Sequence, residues 1–460
     1  MNNQLVHEIR GQVAEHLSGL SVEGKSDFDK VGIARTMTNQ LLDSWWSQAR
    51  VHGSDPLTPR EEFEIIESVL ASLFGLGRLQ RYIDDPEVEN IDVNGCDIVW
   101  VSYSDGSRIL VDPICDSDDE LVDLIRMAGS RMGLAERRFD SAHPELDLRL
   151  PDGTRLSAVM SVCERPSISL RRHRYVDLDL GDLVQMSMFD EAVCAFLEAA
   201  VKARKNIIVS GAMNSGKTTV LRALASCIPP SERLVTIEQA LELGLDKLHK
   251  RHPNCIALEA REANIEGAGE IGMSRLVRRS LRMNADRVIV GEVLGDEVIP
   301  MLNAMSQGRS GSMCTIHSNS SAGVFRRIAS YAAQSPERLG LEATNILIAG
   351  SIDFVVHIDA THELFAQPFD QLDESGQGIS AGFSTEGEEY FPNLKLYRRV
   401  TSIREVIDAE GNQVVSNEIW RPSADGVAVR SVALQHRTQV DLEEFGYRDQ
   451  SSFATSGSWE

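Results

Sequence analysis

The run Gly211-Ala212-Met213-Asn214-Ser215-Gly216-Lys217-Thr218 constrains the fold more than any other feature of this 460-residue chain. It satisfies every fixed position of the pattern G-x-x-x-x-G-K-[ST] and stands between a strand-like run (NIIVS) and a helical one (TTVLRALASC). The spacing has a physical reason. Glycines let successive backbone N–H groups turn inward, the following helix adds positive dipole, and an ammonium and a hydroxyl come next. A loop of this kind holds phosphate. Gly211, Asn214, Ser215, Gly216, Lys217, Thr218 and Thr219 are the expected nucleotide-binding residues. Lys217 is expected at the β- and γ-phosphates and Thr218 on Mg²⁺, with ATP and Mg²⁺ bound together.

The surroundings give the fold class. Over residues 181–360, helical segments alternate with the near-continuous apolar runs NIIVS, RLVTIE, NCIALEA, RVIVGE, SMCTIH and DFVVHI. Strands buried on both faces read this way, so the segment is expected to be an α/β P-loop domain with a parallel sheet. Residues 58–180 mix strands with a helix and read as a smaller α+β domain, with Asn94-Gly95 and Asp105-Gly106 as hairpin turns. Its opening helix has Thr58 as cap, Pro59 in the first turn and Glu61 for a capping box; Phe63, Ile66, Leu70 and Leu73 then recur at helical spacing. Residues 1–57 read as a polar helical extension, in which Trp45 and Trp46 either pack it onto the body or form a docking patch. Residues 361–440 read as a β-rich extension with a flexible Gly/Ser/Glu-rich insertion, and 441–460 as a disordered tail.

Composition excludes several classes. The formal charge of −23 argues against strong nucleic-acid binding. The local basic run Arg165, Arg171, Arg172 and Arg174 does not reverse that. Seven scattered cysteines without a C-x-x-C pair read as reduced thiols in a cytoplasmic protein. No run approaches the ~18 apolar residues of a membrane span, so membrane contact is expected to be peripheral.

Three further elements carry acid–base groups. Arg287-Val-Ile-Val-Gly291-Glu292 ends an apolar strand in a carboxylate suited to Mg²⁺-bound or attacking water, so Glu292 is both a catalytic and a metal candidate. Thr236-Ile-Glu238-Gln239-Ala-Leu-Glu242 places Glu238 and Glu242 after another strand. His317 ends the strand after Gly308-Arg309-Ser-Gly311, where an imidazole can bond the γ-phosphate. The arginines at 275, 278, 279 and 282 share one broad helical face, either solvated or aimed at phosphate in the same or a neighbouring subunit.

Together these motifs resemble the secretion and pilus traffic ATPases, closest to the Tad (Flp) pilus assembly branch in its actinobacterial form. The likeness runs from about residue 60 to 420, through FGLGRLQRYIDDPEVENIDVNG, PELDLRLPDGTRLSAV, PSISLRR, TIEQALEL, LVRRSLRMNADRVIVGEVLGDE, GSMCTIHSNS and RRVTSIREV. The resemblance implies a RecA-like motor domain and an N-terminal domain in a homohexamer. Such a ring hydrolyses ATP at the cytoplasmic face of the inner membrane and drives pilus assembly or secretion through a polytopic membrane platform protein. It assigns Glu292, Glu238, Glu242 and His317 to catalysis, and Arg171, Arg172, Arg278 and Arg282 to nucleotide. Three positions depart from the family pattern: Gln239 stands for aspartate, Leu294 for arginine and Arg309 for histidine. They motivate a rival reading, a nucleotide-binding scaffold with little turnover. A DNA-translocating ATPase on the same fold is a third reading, which the charge disfavours.

Overall fold

The computed structural model describes residues 3–19, 27–51, 57–104, 106–132, 138–172, 177–261, 263, 267–306, 310–364, 394–424 and 426–448. Arg174, Arg309 and the Gly/Ser/Glu-rich stretch at 376–389 lie outside them. The chain divides into two compact units, Met1–Arg174 and Tyr175–Glu460.

The first unit opens with helices Asn3–Gly19, Asp27–Val51 and Pro59–Phe74. Leu5, Ile9 and Val13 from the first, Ala34 and Leu42 from the second, and Ile65, Val69 and Leu70 from the third form one buried cluster. The third helix starts as its sequence requires: Thr58 Oγ1 accepts from Glu61 N and Glu61 Oε2 accepts from Thr58 N, at 3.3 and 2.7 Å. Its buried stripe differs from the expected one. Phe63 is 60% exposed, because the helix is apolar on two sides and the 65/69 side meets the other two helices. Trp45 packs on that cluster, and Trp46 Nε1 donates to Glu62 Oε1 at 3.1 Å. The tryptophans thus join the extension to the third helix.

The same unit holds a six-stranded antiparallel sheet of β1 (Val88–Asn94), β2 (Ile98–Tyr103), β3 (Arg108–Val111), β4 (Glu145–Arg149), β5 (Arg155–Val159) and β6 (Ser167–Arg171), in the order β3-β2-β1-β6-β5-β4. One face packs on helix Asp118–Met132, burying Val93, Leu148, Leu156, Leu170 and Ile125. Positive φ at Gly95 and Gly153 closes two of its turns.

The second unit is built on nine strands: β7 (Ile207–Gly211), β8 (Leu234–Glu238), β9 (Cys255–Glu259), β10 (Arg287–Val293), β11 (Met313–His317), β12 (Phe354–Leu364), β13 (Leu394–Glu410), β14 (Gln413–Pro422) and β15 (Ala428–Arg430). Their order is β15-β14-β13-β12-β7-β11-β10-β8-β9. The six apolar runs form the parallel part, β12-β7-β11-β10-β8-β9, and the C-terminal strands add an antiparallel edge. Every residue of β7 and β8 is buried, as a sheet covered on both faces demands. Helix Lys217–Ala225 covers one face with Val220, Leu221 and Leu224. Helix Met273–Ser280 covers the other with Met273 and Val277.

One boundary differs from the expected disordered tail at 441–460. Helix His436–Glu443 runs into it, and Leu442 and Tyr447 are buried in the core, Tyr447 against Phe196. Two well-placed apolar side chains hold residues 441–448 in place despite their polar neighbours.

Candidate active site

In a parallel sheet the strands' carboxyl ends share one edge, and ligands gather there. β7, β11, β10 and β8 are consecutive neighbours, and each carries, at or one residue before its end at this edge, a residue singled out above: the Gly211 loop, His317, Glu292 and Glu238.

The phosphate loop leaves β7 at Gly211, where a side chain has no room. A Cβ there would sit 2.5 Å from the Ile358 carbonyl and 2.5 Å from Ser215 Oγ. Asn214 and Gly216 take positive φ, 59° and 93°, which curls the loop before helix Lys217–Ala225 begins. Lys217 is buried. Its ammonium donates to the Ala212 carbonyl at 2.7 Å and lies 3.2 Å from His317 Nδ1. Thr218 and Thr219 are half-buried in the first helical turn. Ser215 Oγ is buried and has no partner among the described residues. A curled glycine loop, an ammonium and an orphaned hydroxyl together fit a polyphosphate.

His317 joins two of these groups. Its Nε2 is 2.5 Å from Glu292 Oε1. Since an ammonium only donates, Nδ1 accepts from Lys217, and the ring proton sits on Nε2 and is donated to Glu292. The imidazole is therefore neutral. Burial first, and the Lys217 charge second, hold its pKa below the usual histidine range, while Glu292 opposes them.

A bulge aims Glu292. Val290 pairs with Cys314 and Val293 with Ile316, so β10 carries one residue more than β11 at this point. Thr315 Oγ1 donates to the Gly291 carbonyl at 2.6 Å and fixes the bulge. Gly291 has a second role. A Cβ there would lie 2.8 Å from Glu238 Cγ, so the missing side chain makes room for the neighbouring carboxylate.

Glu238 is 3% exposed. Its Oε1 accepts from the backbone N–H groups of Glu242 and Leu243 at 2.9 and 2.8 Å, and its Oε2 has no partner among the described residues. Burial pushes its carboxyl up to about 7, against the pull of the two amides and of Arg222. A carboxyl poised near neutrality is suited to accept a proton. Glu242 holds Glu238 through its backbone amide, and its carbonyl accepts from buried Arg222, which also donates to the Leu243 carbonyl at 3.0 Å. No motif marks Arg222; only its central place in the phosphate helix hinted at it. Thr218 and Glu292 are the residues that would hold Mg²⁺, an oxygen donor set that suits a hard cation.

Two expected arginines are not brought to this edge. Arg278 belongs to helix Met273–Ser280, on the opposite face of the sheet from helix Lys217–Ala225, and Arg282 lies in the turn just beyond it. Arg278 pairs with Glu337 at 2.7 Å, and Arg282 lies just before β10 begins, at the far end of the strands. A helix running antiparallel to its strand carries its last turn away from the strand's carboxyl end, which the spacing alone does not reveal. Gln239 and Leu294 are exposed.

The first unit has its own cationic feature. Arg171 lies directly opposite Arg155, and Arg155 opposite Arg149, on the outer face of the six-stranded sheet. Like charges in register destabilise a sheet unless other groups compensate them, and Arg155 has a partner of its own. Arg171 was legible in the sequence; Arg149 and Arg155 join it only through strand pairing. Arg172 instead donates to the Asp85 carbonyl, and Arg165 is held by Asp97 and Asp118 at 2.7 Å each.

Residues 74–419 match the family described as type II/IV secretion system protein. The chain belongs to that family. It is 34% identical over 295 residues to a putative conjugal transfer protein of Mycobacterium tuberculosis, covering 62% of this chain and 80% of that one. It is 28% identical over 316 residues to protein VirB11 of Agrobacterium fabrum, covering 62% and 88%. Among solved structures, the VirB11 ATPase of the Brucella suis type IV secretion system matches at 26% identity with a TM-score of 0.33, covering 63% of this chain and 92% of that one. With the family's phosphate loop intact, the chain is an ATPase of the type II/IV secretion group. Among the described residues, no helix is long and apolar enough to cross a membrane.

Proposed function

We propose that the chain is an ATP-hydrolysing motor that works as a homohexamer at the inner face of the cytoplasmic membrane. There it would drive a polytopic platform protein of a pilus or secretion system. A Tad-type pilus is one such system, supported by the resemblance of the motifs to that branch. One observation carries the ATP-hydrolysing part: four adjacent strands deliver an ammonium, an imidazole and two carboxylates to one edge around a phosphate loop.

The chemistry follows from those groups. Loop amides and Lys217 hold the β- and γ-phosphates, so the ammonium gives up His317 when an anion arrives. Glu238 accepts the proton of the attacking water on its unpaired Oε2, and its raised pKa keeps that transfer close to balance near neutral pH. Thr218 and Glu292 would hold a magnesium ion, which would add positive charge beside the phosphate oxygens. By the family resemblance, Arg171 would offer its guanidinium to phosphate within the ring, and Arg278 and Arg282 would serve a neighbouring copy rather than their own loop.

Phosphate release tests the reading. Lys217→Ala is expected to lose at least about a thousandfold in turnover, the scale of several lost transition-state contacts. Glu292→Gln is expected to retain bound ATP. Normal steady-state hydrolysis in both would sink the site assignment.

A second reading, a nucleotide-dependent scaffold with little turnover, is favoured by exposed Gln239 and Leu294, where the family pattern has an acid and a base. Assembly that needs ATP, with no phosphate released in the presence of the platform protein, would select it.

A further inference from the structure

The phosphate loop is gripped by a segment far away in sequence. β12 and β13 form an antiparallel pair with Ala360 opposite Arg398, and between His357 and Ile358 the register slips by one residue. Beyond that slip, Arg398 Nε donates to the Asn214 carbonyl at 2.9 Å. Its stem crosses Gly216, whose missing side chain leaves the room: a Cβ there would stand 3.4 Å from Arg398 Cδ and 3.5 Å from Met188 Cε. Met188 is in turn fixed to the same strand, its carbonyl accepting from Val400 N at 2.8 Å. On the other side of the loop, the Ile358 carbonyl of β12 closes on Gly211.

Asn214 sits at the curl of the loop with φ 59°, a left-handed conformation that asparagine accepts more readily than other side chains but less readily than glycine, so a hold on its carbonyl adds to the stability of that shape. Among the described residues the guanidinium has no other hydrogen-bond partner, so its commitment is to this carbonyl. A charged donor on the apex carbonyl favours the curled shape that points amides inward over shapes in which the apex relaxes.

We propose that Arg398 is a positioning residue that holds the phosphate loop in its anion-receiving shape, so that the C-terminal hairpin sets the affinity for nucleotide. This rests on the ATPase reading. A loop that spends only part of its time in the competent shape binds more weakly by that fraction, while the chemistry that follows binding is unchanged. The effect therefore belongs in KM and Kd, not in kcat.

The test uses the full chain, a non-hydrolysable ATP analogue in calorimetry, and steady-state phosphate release. Arg398→Ala is expected to weaken analogue binding and raise KM about tenfold, the scale of one hydrogen bond from a charged donor, with kcat within about twofold. Arg398→Lys keeps a cationic donor and is expected to recover part of the loss. Arg399→Ala, on the neighbouring residue that stacks on Tyr397, is expected to bind like the parent. Unchanged affinity in Arg398→Ala overturns the inference, as does an equal loss in Arg399→Ala or a fall confined to kcat. A parent chain that binds no analogue at all overturns the ATPase reading itself, which separates the two failures.

Discussion

Where the parallel strands of the large sheet begin, Arg287 is fully buried and every part of its fork is used. Nε and Nη2 pair with the two oxygens of Glu232 at 2.8 and 2.9 Å, and Nη1 donates to the Val201 carbonyl at 2.7 Å. Beside it the Asn206 amide makes four bonds, to Met305 O, Ser351 O, Gly311 N and Ser312 N. Where the same strands end, Ser215 Oγ and Glu238 Oε2 are just as buried and have no partner among the described residues. A buried polar group costs free energy unless it is paired. The first end is therefore closed chemistry that holds strands together, and the second is open chemistry that awaits a ligand. The difference separates structural from functional charge within one sheet.

Substitutions at the two ends sharpen that contrast. Arg287→Ala strands a carboxylate whose remaining partner is Arg204, at 2.9 Å. It is expected to lower unfolding free energy by about 3–5 kcal/mol, read by denaturant titration; a loss below 1 kcal/mol would deny the closed end its structural role. Glu238→Gln acts in the other direction. The folded carboxyl titrates near 7 against a usual 4.5, so the folded chain holds the extra proton and stability falls as pH rises through that window. The glutamine variant lacks that decline and is expected to be more stable at pH 8 by up to about 3 kcal/mol, while hydrolysis is lost. A parallel pH dependence in parent and variant would remove the raised pKa. Gly291→Ala should do least, about 1–2 kcal/mol of stability, because its methyl group must displace the Glu238 stem. Its informative readout is the midpoint of the same pH dependence, and an unmoved midpoint would mean that the two residues do not share space.

The legible parts of the molecule are those written locally. All six apolar runs became the parallel strands, and the capping box at Thr58 and the turn at Asn94-Gly95 formed where short-range chemistry put them, while Asp105 of the second expected turn lies outside the described residues. Lys217 was legible from the fixed spacing of its loop, and His317, Glu292 and Glu238 because each closes an apolar run, and such runs end together in a parallel sheet. Features that depend on pairing over long distances were not. Arg149, Arg155 and Arg171 become neighbours only through strand register. Arg398 meets Asn214 across 184 positions, and Gly291 is explained by a side chain on another strand. The polar look of residues 1–57 hid Leu5, Ile9 and Val13, whose i, i+4 stripe is narrow.

The single imidazole between Lys217 and Glu292 ties phosphate occupancy to ring basicity. Lys217 is, after burial, the largest of the causes that depress His317, so an anion that draws the ammonium away leaves Nδ1 free and the ring easier to protonate beside Glu292. Filling the loop after β7 thereby changes the charge available at the end of β11 and the pairing at the end of β10. His317 is the group through which occupancy of the loop would reach the neighbouring strands, as a change in proton affinity.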